Sequence, residues 1–418
     1  MNVIIFTSGK GERMLPFTKE KNKTTFNIKN KPLLEYHIEN LLYTGCIEKI
    51  VVTTYHQRDS VLKVLDKVRG DFRLQGNGTY PESRREESRK QQGSIIEYEE
   101  DGLYGSATAV KRIMEEHKMD RAVVINGDTW YDSYFYLTLP VFYNKAKDDK
   151  KSNYLFVSLD KTYETGLVRF DNKSNEILEV AEDGNFCNKC KSDKIGKYLG
   201  IAIVNSDIVT DGDFMTDFVT LQFNKFSVIP VIETARWLDI GTPKAYIELT
   251  AKNYNSFHVQ NLFKIARDSS IDIIERIIFA ERIFICGNGG SLSTSQHLAL
   301  DFAKCGKKQA ISLGCPSTIS AIGNDDGFEN VFLNQLSNYN IGEKDVILLL
   351  SGSGNSPNIV KVAEEYPENV VGMTGNKGWL YEHVQIMPVE SDSIRIIEDA
   401  HLSYGHLITE ILDGLTDK

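Results

Sequence analysis

The chain has 418 residues, of which 41% are hydrophobic and 25% charged, an ordinary composition for a globular protein of two or three domains. Its formal net charge is −10 and it has no long basic run, so neither nucleic acid nor an anionic membrane is expected as a partner. It lacks an N-terminal signal pattern and any apolar run of about 18 residues, which predicts a cytoplasmic protein.

Val3-Ile4-Ile5-Phe6 is too short for a helix and reads as a buried strand. The loop after it has glycine at Gly9 and Gly11, where backbone N–H groups can approach an anion. Arg13 and Lys23 add positive charge suited to a polyphosphate. Leu33, Leu34, Ile38, Leu41 and Leu42 have helical spacing, and Lys49 to Thr54 read as a second strand. Strand, helix, strand is a βαβ unit and implies a parallel sheet. Gly70 to Gln92 is polar and reads as an exposed excursion.

Ser94 to Tyr98 is the next strand, and a helix from near Gly105-Ser106 runs to about Glu116. Ala122 to Ile125 then ends in Gly127-Asp128. A carboxylate at the tip of a buried strand faces the ligand crevice and suits magnesium, or it caps the following turn. Asn153 to Val209 alternates β-rich runs with turns and reads as an antiparallel insertion. Cys187 and Cys190 form a lone CxxC without a second pair, more in keeping with a loop than a zinc knuckle. Trp237 to Gly241 ends a strand in a second carboxylate, Asp239, ahead of a helix starting at Pro243.

Several of these segments together resemble the sugar-1-phosphate nucleotidyltransferases. They are Gly9-x-Gly11-x-Arg13-x-x-Pro16-x-Thr18, Lys23, Lys31-Pro32-Leu33-Leu34-Glu35-Tyr36, Gly105-Ser106-Ala107, Gly127-Asp128-Thr129 and Asp239-Ile-Gly-Thr-Pro243. The heptose-1-phosphate guanylyltransferases have the most similar flavour. The resemblance implies a Rossmann-like, GT-A-like mixed α/β sheet over residues 1–250. It implies catalytic roles for Arg13 and Lys23 against a triphosphate, and nucleotide contacts from Ser8, Gly9, Gly11, Gly105 and Ser106. Asp128 and Asp239 would hold Mg²⁺ while a sugar phosphate attacks the α-phosphorus. GTP is favoured as the nucleotide, with CTP as the alternative. Ser8 stands where the family usually has Gly, and Asn22 replaces a Pro before the Lys. Glu182-Asp183-Gly184 lacks the Lys of a Glu-Lys-Pro segment, which leaves the sugar phosphate open.

Ala245 to Ala266 and Ile271 to Ile278 read as helices. Arg282 to Cys286 is again a buried strand, running into Gly287-Asn288-Gly289-Gly290-Ser291 and a helix that carries Gln296, His297, Leu300 and Asp301. A glycine turn at a helix N-terminus can hold a phosphate. Val346 to Leu350 leads into Ser351-Gly-Ser353-Gly-Asn-Ser356, hydroxyls and amides without a cation, which suits a phosphomonoester. Further strands at Gln309 to Leu313 and Asn369 to Thr374 predict a five-stranded parallel sheet with helices on both faces.

This second half resembles the SIS sugar isomerases, and phosphoheptose isomerase in particular. The matching residues are the 287–291 loop, His297, Asn324-Asp325-x-Gly327-x-Glu329, the 351–356 loop and Glu398-Asp-x-His401 to His406. The resemblance implies a doubly wound SIS domain over 251–418. Sugar phosphate would be bound by Asn288, Gly289, Gly290, Ser291, Asn324, Asp325, Ser351, Ser353 and Ser356. Asp301 and His406 would carry the proton transfers of an enediol reaction. His297, Asp301, Glu398 and His406 would hold Zn²⁺ or another divalent ion. Family members more often have Glu at 301 and Gln at 398. SIS domains associate, so a homo-oligomeric dimer or tetramer is expected. The two resemblances imply a bifunctional enzyme of nucleotide-activated sugar biosynthesis, feeding capsule or lipopolysaccharide. The alternative is a nucleotidyltransferase whose SIS half senses a sugar phosphate without turnover.

Overall fold

The computed structural model describes residues 1–28, 30–75, 94–102, 105–148, 153–159, 167–181, 193–231, 237–306 and 308–416. The Cys187 and Cys190 pair and the Glu182-Asp183-Gly184 segment lie outside the described residues. The chain divides into two compact units. The first comprises Met1–Phe26 and Lys31–Gly241, and the second Asn27–Asn30 and Thr242–Lys418. Among the described residues no helix is long and apolar enough to cross a membrane.

The first unit is built on a nine-stranded mixed sheet. Asn2–Phe6 lies centrally and pairs in parallel with Lys49–Thr54 on one side and Arg121–Asn126 on the other. Ser94–Glu99 extends the parallel side. Val3, Ile4 and Ile5 are fully buried because helices cover both faces of such a sheet. Each burial of this kind contributes roughly 1.5–3 kcal/mol before chain entropy is counted. The two neighbours of Asn2–Phe6 lie on opposite sides, so the sheet has a crevice at the carboxyl ends of its strands.

The strands between 153 and 205 join this same sheet rather than forming a separate insertion. Asp193–Asn205 runs antiparallel to Arg121–Asn126 through residues 201–205 and to Leu167–Asp171 through residues 193–197. It also pairs antiparallel with Asn153–Ser158, so one long strand serves three partners, an arrangement that local alternation in the sequence does not reveal. The helix Arg58–Gln75 also continues five residues past Gly70, so only the later part of the polar excursion falls outside the described residues.

The second unit holds a five-stranded, all-parallel sheet in the order Gln309–Ser312, Arg282–Gly287, Val346–Ser351, Val370–Gly375, Ile386–Val389. Its central strands are buried apolar runs, Ile283 to Cys286 in one and Val346 to Leu350 in the next. Ahead of the sheet, the helical stretch from Pro243 is two helices, Pro243–Asn253 and Phe257–Ile265, parted at residues 254–256. The chain order reverses between Arg282–Gly287 and Val346–Ser351, which places the 287–291 and 351–356 loops side by side at the carboxyl edge.

The helix Gly290–Gly306 and the last helix, Ile394–Leu415, pack directly against each other. Gly405 is the reason. A β-carbon there would overlap the Leu298 side chain, so glycine lets the helices approach. The residues next to this contact are His297 and His406.

Candidate active sites

In the first unit the carboxyl edge gathers the charged residues. Asn22 is fully buried and ties the loops together. Its Nδ2 donates to the Thr7 carbonyl at 2.6 Å and to the His56 carbonyl at 2.8 Å, and its Oδ1 accepts from Thr24 N at 3.0 Å. A proline, the usual residue here, could make none of these side-chain bonds. Asn22 thereby caps the short Lys23–Thr25 turn and aims Lys23, whose Nζ pairs with Asp128 Oδ2.

Asp239 reaches the same place from a strand that pairs with Thr129–Tyr131, with Asp239 opposite Thr129 and Ile240 N donating to the Asp128 carbonyl at 2.9 Å. Desolvation among the surrounding groups raises the Asp239 pKa from its ordinary value although the residue keeps an exposed edge, and the neighbouring Asp128 charge adds to the shift. The Gly241 amide, 2.8 Å from Oδ1, and the Lys23 and Arg13 charges oppose it. The Arg13 guanidinium lies against Gly241: a methyl there would sit 2.6 Å from Nη2 and 2.9 Å from Asp239 Oδ1. Two converging carboxylates, one partly desolvated, are a costly arrangement without a cation between them, and their hard oxygens suit Mg²⁺.

A cleft of about 330 Å³ opens beside these groups, lined by Ser8, Gly9, Lys23, Gly105, Ser106 and Asp128 among others. Gly11 shapes the loop instead, at φ 64°, with its carbonyl accepting from Thr18 Oγ1 at 2.9 Å. Two residues that sequence reasoning missed are His37 and Glu100. His37 is fully buried under the Gly127-Asp128 turn. Its Nε2–H donates to the Gly127 carbonyl at 3.2 Å, so its Nδ1 accepts from Tyr136 OH at 2.6 Å. Burial lowers its pKa to about 4 and keeps it neutral. Its position within a helix gave no signal, because the contact is made by a strand tip far along the chain. Glu100 did carry one: like Asp128, it is a carboxylate just after a strand.

In the second unit, three of the four expected metal ligands converge. His297 and Asp301 stand one turn apart on one helix, with Nε2 to Oδ2 at 3.2 Å. His406 comes from the last helix, its Nε2 3.1 Å from His297 Nε2 and 3.9 Å from Asp301 Oδ2. All three ligand atoms lie within 4.8 Å of one another. Tetrahedral zinc with bonds of about 2.0–2.2 Å separates its ligands by roughly 3.3–3.5 Å, so the set fits such an ion with a position left open.

Glu398 is not part of that cluster. Eight residues along a helix return to the same face but advance roughly 12 Å along the axis. Its carboxylate instead rests on Gly290, at the N-terminus of the His297 helix. The 287–291 loop therefore faces an internal anion. The Asn288 side chain is likewise engaged, exchanging two 2.9 Å hydrogen bonds with Asn358 and so joining the two loops. Gly289 is exposed and Ser291 buried.

The 351–356 loop keeps its hydroxyls gathered. Ser351 Oγ lies 3.3 Å from Ser356 Oγ and accepts from Gly354 N at 3.2 Å, while Ser353 is exposed and accepts from Asn355 N at 3.2 Å. Asn324 and Asp325 are exposed at the end of helix Pro316–Asp325 and hydrogen-bond to each other at 2.8 Å, not to either loop.

Comparison with known proteins finds a separate family match in each part of the chain. The nucleotidyl transferase family model matches residues 2–256, and the SIS domain model matches residues 264–375. The phosphoheptose isomerase of Nitratidesulfovibrio vulgaris is 36% identical over 144 residues, 32% of this chain and 68% of that protein. Phosphoheptose isomerase 1 of Campylobacter jejuni is 37% identical over 145 residues, 32% of this chain and 76% of that protein. The crystal structure of HddC from Yersinia pseudotuberculosis is 20% identical with a TM-score of 0.45, covering 60% of this chain and 98% of that one. The chain therefore belongs to two enzyme families, the nucleotidyl transferases through residues 2–256 and the phosphoheptose isomerases through its C-terminal part.

Proposed function

We propose that the chain is a bifunctional enzyme of heptose-related sugar-nucleotide synthesis. Residues 1–250 would convert an NTP, GTP in preference to CTP, and a sugar 1-phosphate into an NDP-sugar and pyrophosphate. Residues 251–418 would interconvert a ketose phosphate resembling sedoheptulose 7-phosphate and its aldose isomer. The observation that carries this reading is the presence of two separate convergent clusters, Arg13, Lys23, Asp128 and Asp239 in one unit and His297, Asp301 and His406 in the other.

In the first reaction the amides of the 7–11 loop cradle the phosphates, and Arg13 and Lys23 offset their charge. A sugar-phosphate oxygen attacks the α-phosphorus in line as the bond to pyrophosphate breaks. Mg²⁺ held by Asp128 and Asp239 would supply further charge neutralisation. Asn22 and His37 keep Lys23 and the Asp128 turn in place, so little reorganisation accompanies the reaction.

In the second reaction the hydroxyls of Ser351, Ser353 and Ser356 bind the phosphomonoester. Asp301 and His406 divide the proton transfers: one removes the proton α to the carbonyl while the carbonyl oxygen is protonated, and the enediol then gains a proton on the former carbonyl carbon as its other hydroxyl gives one up. Zn²⁺ held by His297, Asp301 and His406 would polarise the carbonyl. With His297 half-exposed and Leu300 66% exposed beside Asp301, a second copy of the chain would complete the walls of this site, in keeping with a homo-oligomer built through the SIS half.

Separate assays test the division. Arg13→Ala should abolish pyrophosphate release and leave isomerisation intact, and His406→Ala should do the reverse. If either substitution removed both activities, independent sites would be wrong. A second reading, a SIS half that senses sugar phosphate without turnover, is favoured by the Glu398 carboxylate on the 287–291 loop. Exchange of solvent deuterium into a sugar phosphate would exclude it.

A further inference from the structure

A short piece of the first half is built into the second compact unit. Asn27–Asn30 groups with Thr242–Lys418, while Phe26 before it and Lys31 after it belong to the first unit. Within the second unit Asn27 is held from two sides. The Tyr246 hydroxyl, on the helix Pro243–Asn253, donates to the Asn27 carbonyl at 2.6 Å. Gly414, near the end of the last helix, lies against the same pair. A β-carbon there would overlap the Tyr246 phenol oxygen and stand 3.1 Å from the Asn27 carbonyl oxygen. Tyr246 is fully buried, and burial pushes its pKa up, so the phenol stays a donor.

Glycine weakens a helix interior relative to alanine, yet Ile394–Leu415 carries two in its second half, Gly405 and Gly414. Neither has a positive φ, so close packing is what each provides. Nine residues make two and a half turns, which puts the two glycines on opposite faces and roughly 13 Å apart along the axis. One face admits Leu298 and the other Tyr246.

Asn27 follows Lys23 by four residues, and the backbone between them is pinned. Thr25 N donates to the Asn22 carbonyl at 2.9 Å, and Phe26 N to the Lys23 carbonyl at 3.2 Å. Phe26 is fully buried. A turn tied in this way has little freedom to absorb a shift of Asn27, so a displacement there reaches Lys23, whose Nζ pairs with Asp128. The Asn22 side chain fixes the start of the turn through the Thr7 carbonyl. Tyr246 fixes its end.

We propose that Tyr246, backed by Gly414, is a positioning residue for nucleotidyl transfer: by holding the Asn27 carbonyl it sets where the Lys23 ammonium meets the phosphates. The second unit then serves the first reaction as well as its own site, as the support of the turn that carries Lys23. This rests on reading Lys23 as a phosphate-binding residue of the first reaction.

The test uses the full chain with Mg²⁺, the NTP it turns over fastest and a panel of sugar 1-phosphates. It reads kcat/KM for pyrophosphate release together with calorimetric binding of the NTP. Tyr246→Phe keeps the ring and removes one hydroxyl. It should lower kcat/KM by roughly 10-fold, the size of one hydrogen bond left unmade, and leave isomerisation unchanged. In a Lys23→Ala background the same substitution should lower what remains by less than about twofold, because residues that act as one unit are not additive. Gly414→Ala, which drives a methyl group into the phenol, should lower kcat/KM in the wild type and lose most of that effect in Tyr246→Phe, where the oxygen it meets is gone. A Tyr246→Phe enzyme within about twofold of wild type, or an equal factor in the two backgrounds, overturns the positioning role alone. So does a Tyr246→Phe chain without a cooperative urea transition, since the hydroxyl would then serve the fold and not Lys23. A wild type that binds no NTP and releases no pyrophosphate overturns the nucleotidyltransferase reading and this one with it.

Discussion

The Nε2 atoms of His297 and His406 lie 3.1 Å apart although 109 residues separate them in the chain. With Asp301 Oδ2 they form a three-ligand set. Full chain titrated with Zn²⁺ or Co²⁺ against a chromophoric competitor should show a site that His297→Ala weakens by at least about 100-fold, since even outer partners of such ligands are worth 10- to 100-fold. Glu398→Gln should leave that affinity within a factor of about three. Equal losses for the two variants would put Glu398 back among the ligands.

Gly405 sets this distance. Gly405→Ala puts a methyl group into Leu298. Overpacking of that kind costs about 1–3 kcal/mol, which urea unfolding would register as a lower midpoint. The helices must also move apart, so metal affinity should fall with stability. A variant that kept both would show that the two helices approach for another reason.

His37 and His401 predict an acid-sensitive fold. Both are fully buried, and desolvation lowers their pKa values from 6.5 to about 4 and about 3. Between those values and 6.5 the unfolded chain binds more protons than the folded one, so stability rises with pH across the window and is lost as pH falls from 6.5. Each histidine adds a slope of up to about 1.4 kcal/mol per pH unit. Urea midpoints from pH 7 to pH 4.5 should fall accordingly. His401→Phe should flatten the slope, and an unchanged slope would show that this histidine titrates normally.

Cys315 is exposed just ahead of the helix Pro316–Asp325. Hydrogen bonds from the Ser317 and Thr318 hydroxyls and amides bring its thiol down to about 6. Iodoacetamide labelling followed by peptide mass mapping should show half-maximal rate at Cys315 near pH 6. Cys286, whose thiol burial pushes up, should stay unlabelled until the chain unfolds. A Cys315 profile centred near pH 8.5 would contradict the geometry.

Buried aliphatic strands and the glycine or carboxylate turns that follow them are local patterns, so strand tips such as Gly9, Asp128, Gly287 and Ser351 were legible from the residues alone. So was the α/β class of both halves, since alternation of strand and helix is itself a local property. Helical periodicity placed His297 and Asp301 together because one turn brings them into contact. The same periodicity put Glu398 with His406, correctly as to face but not as to distance: a face repeats every turn while the axis keeps rising. Whether two same-face residues share a ligand depends on what packs between them, and here Glu398 meets Gly290 while His406 meets His297. Asn22, His37 and Glu100 are decided at the same level. Each acts on a loop or strand tip distant in sequence, His37 on Gly127 and Glu100 on Ser8, and only the strand order of the sheet brings those partners within hydrogen-bond range.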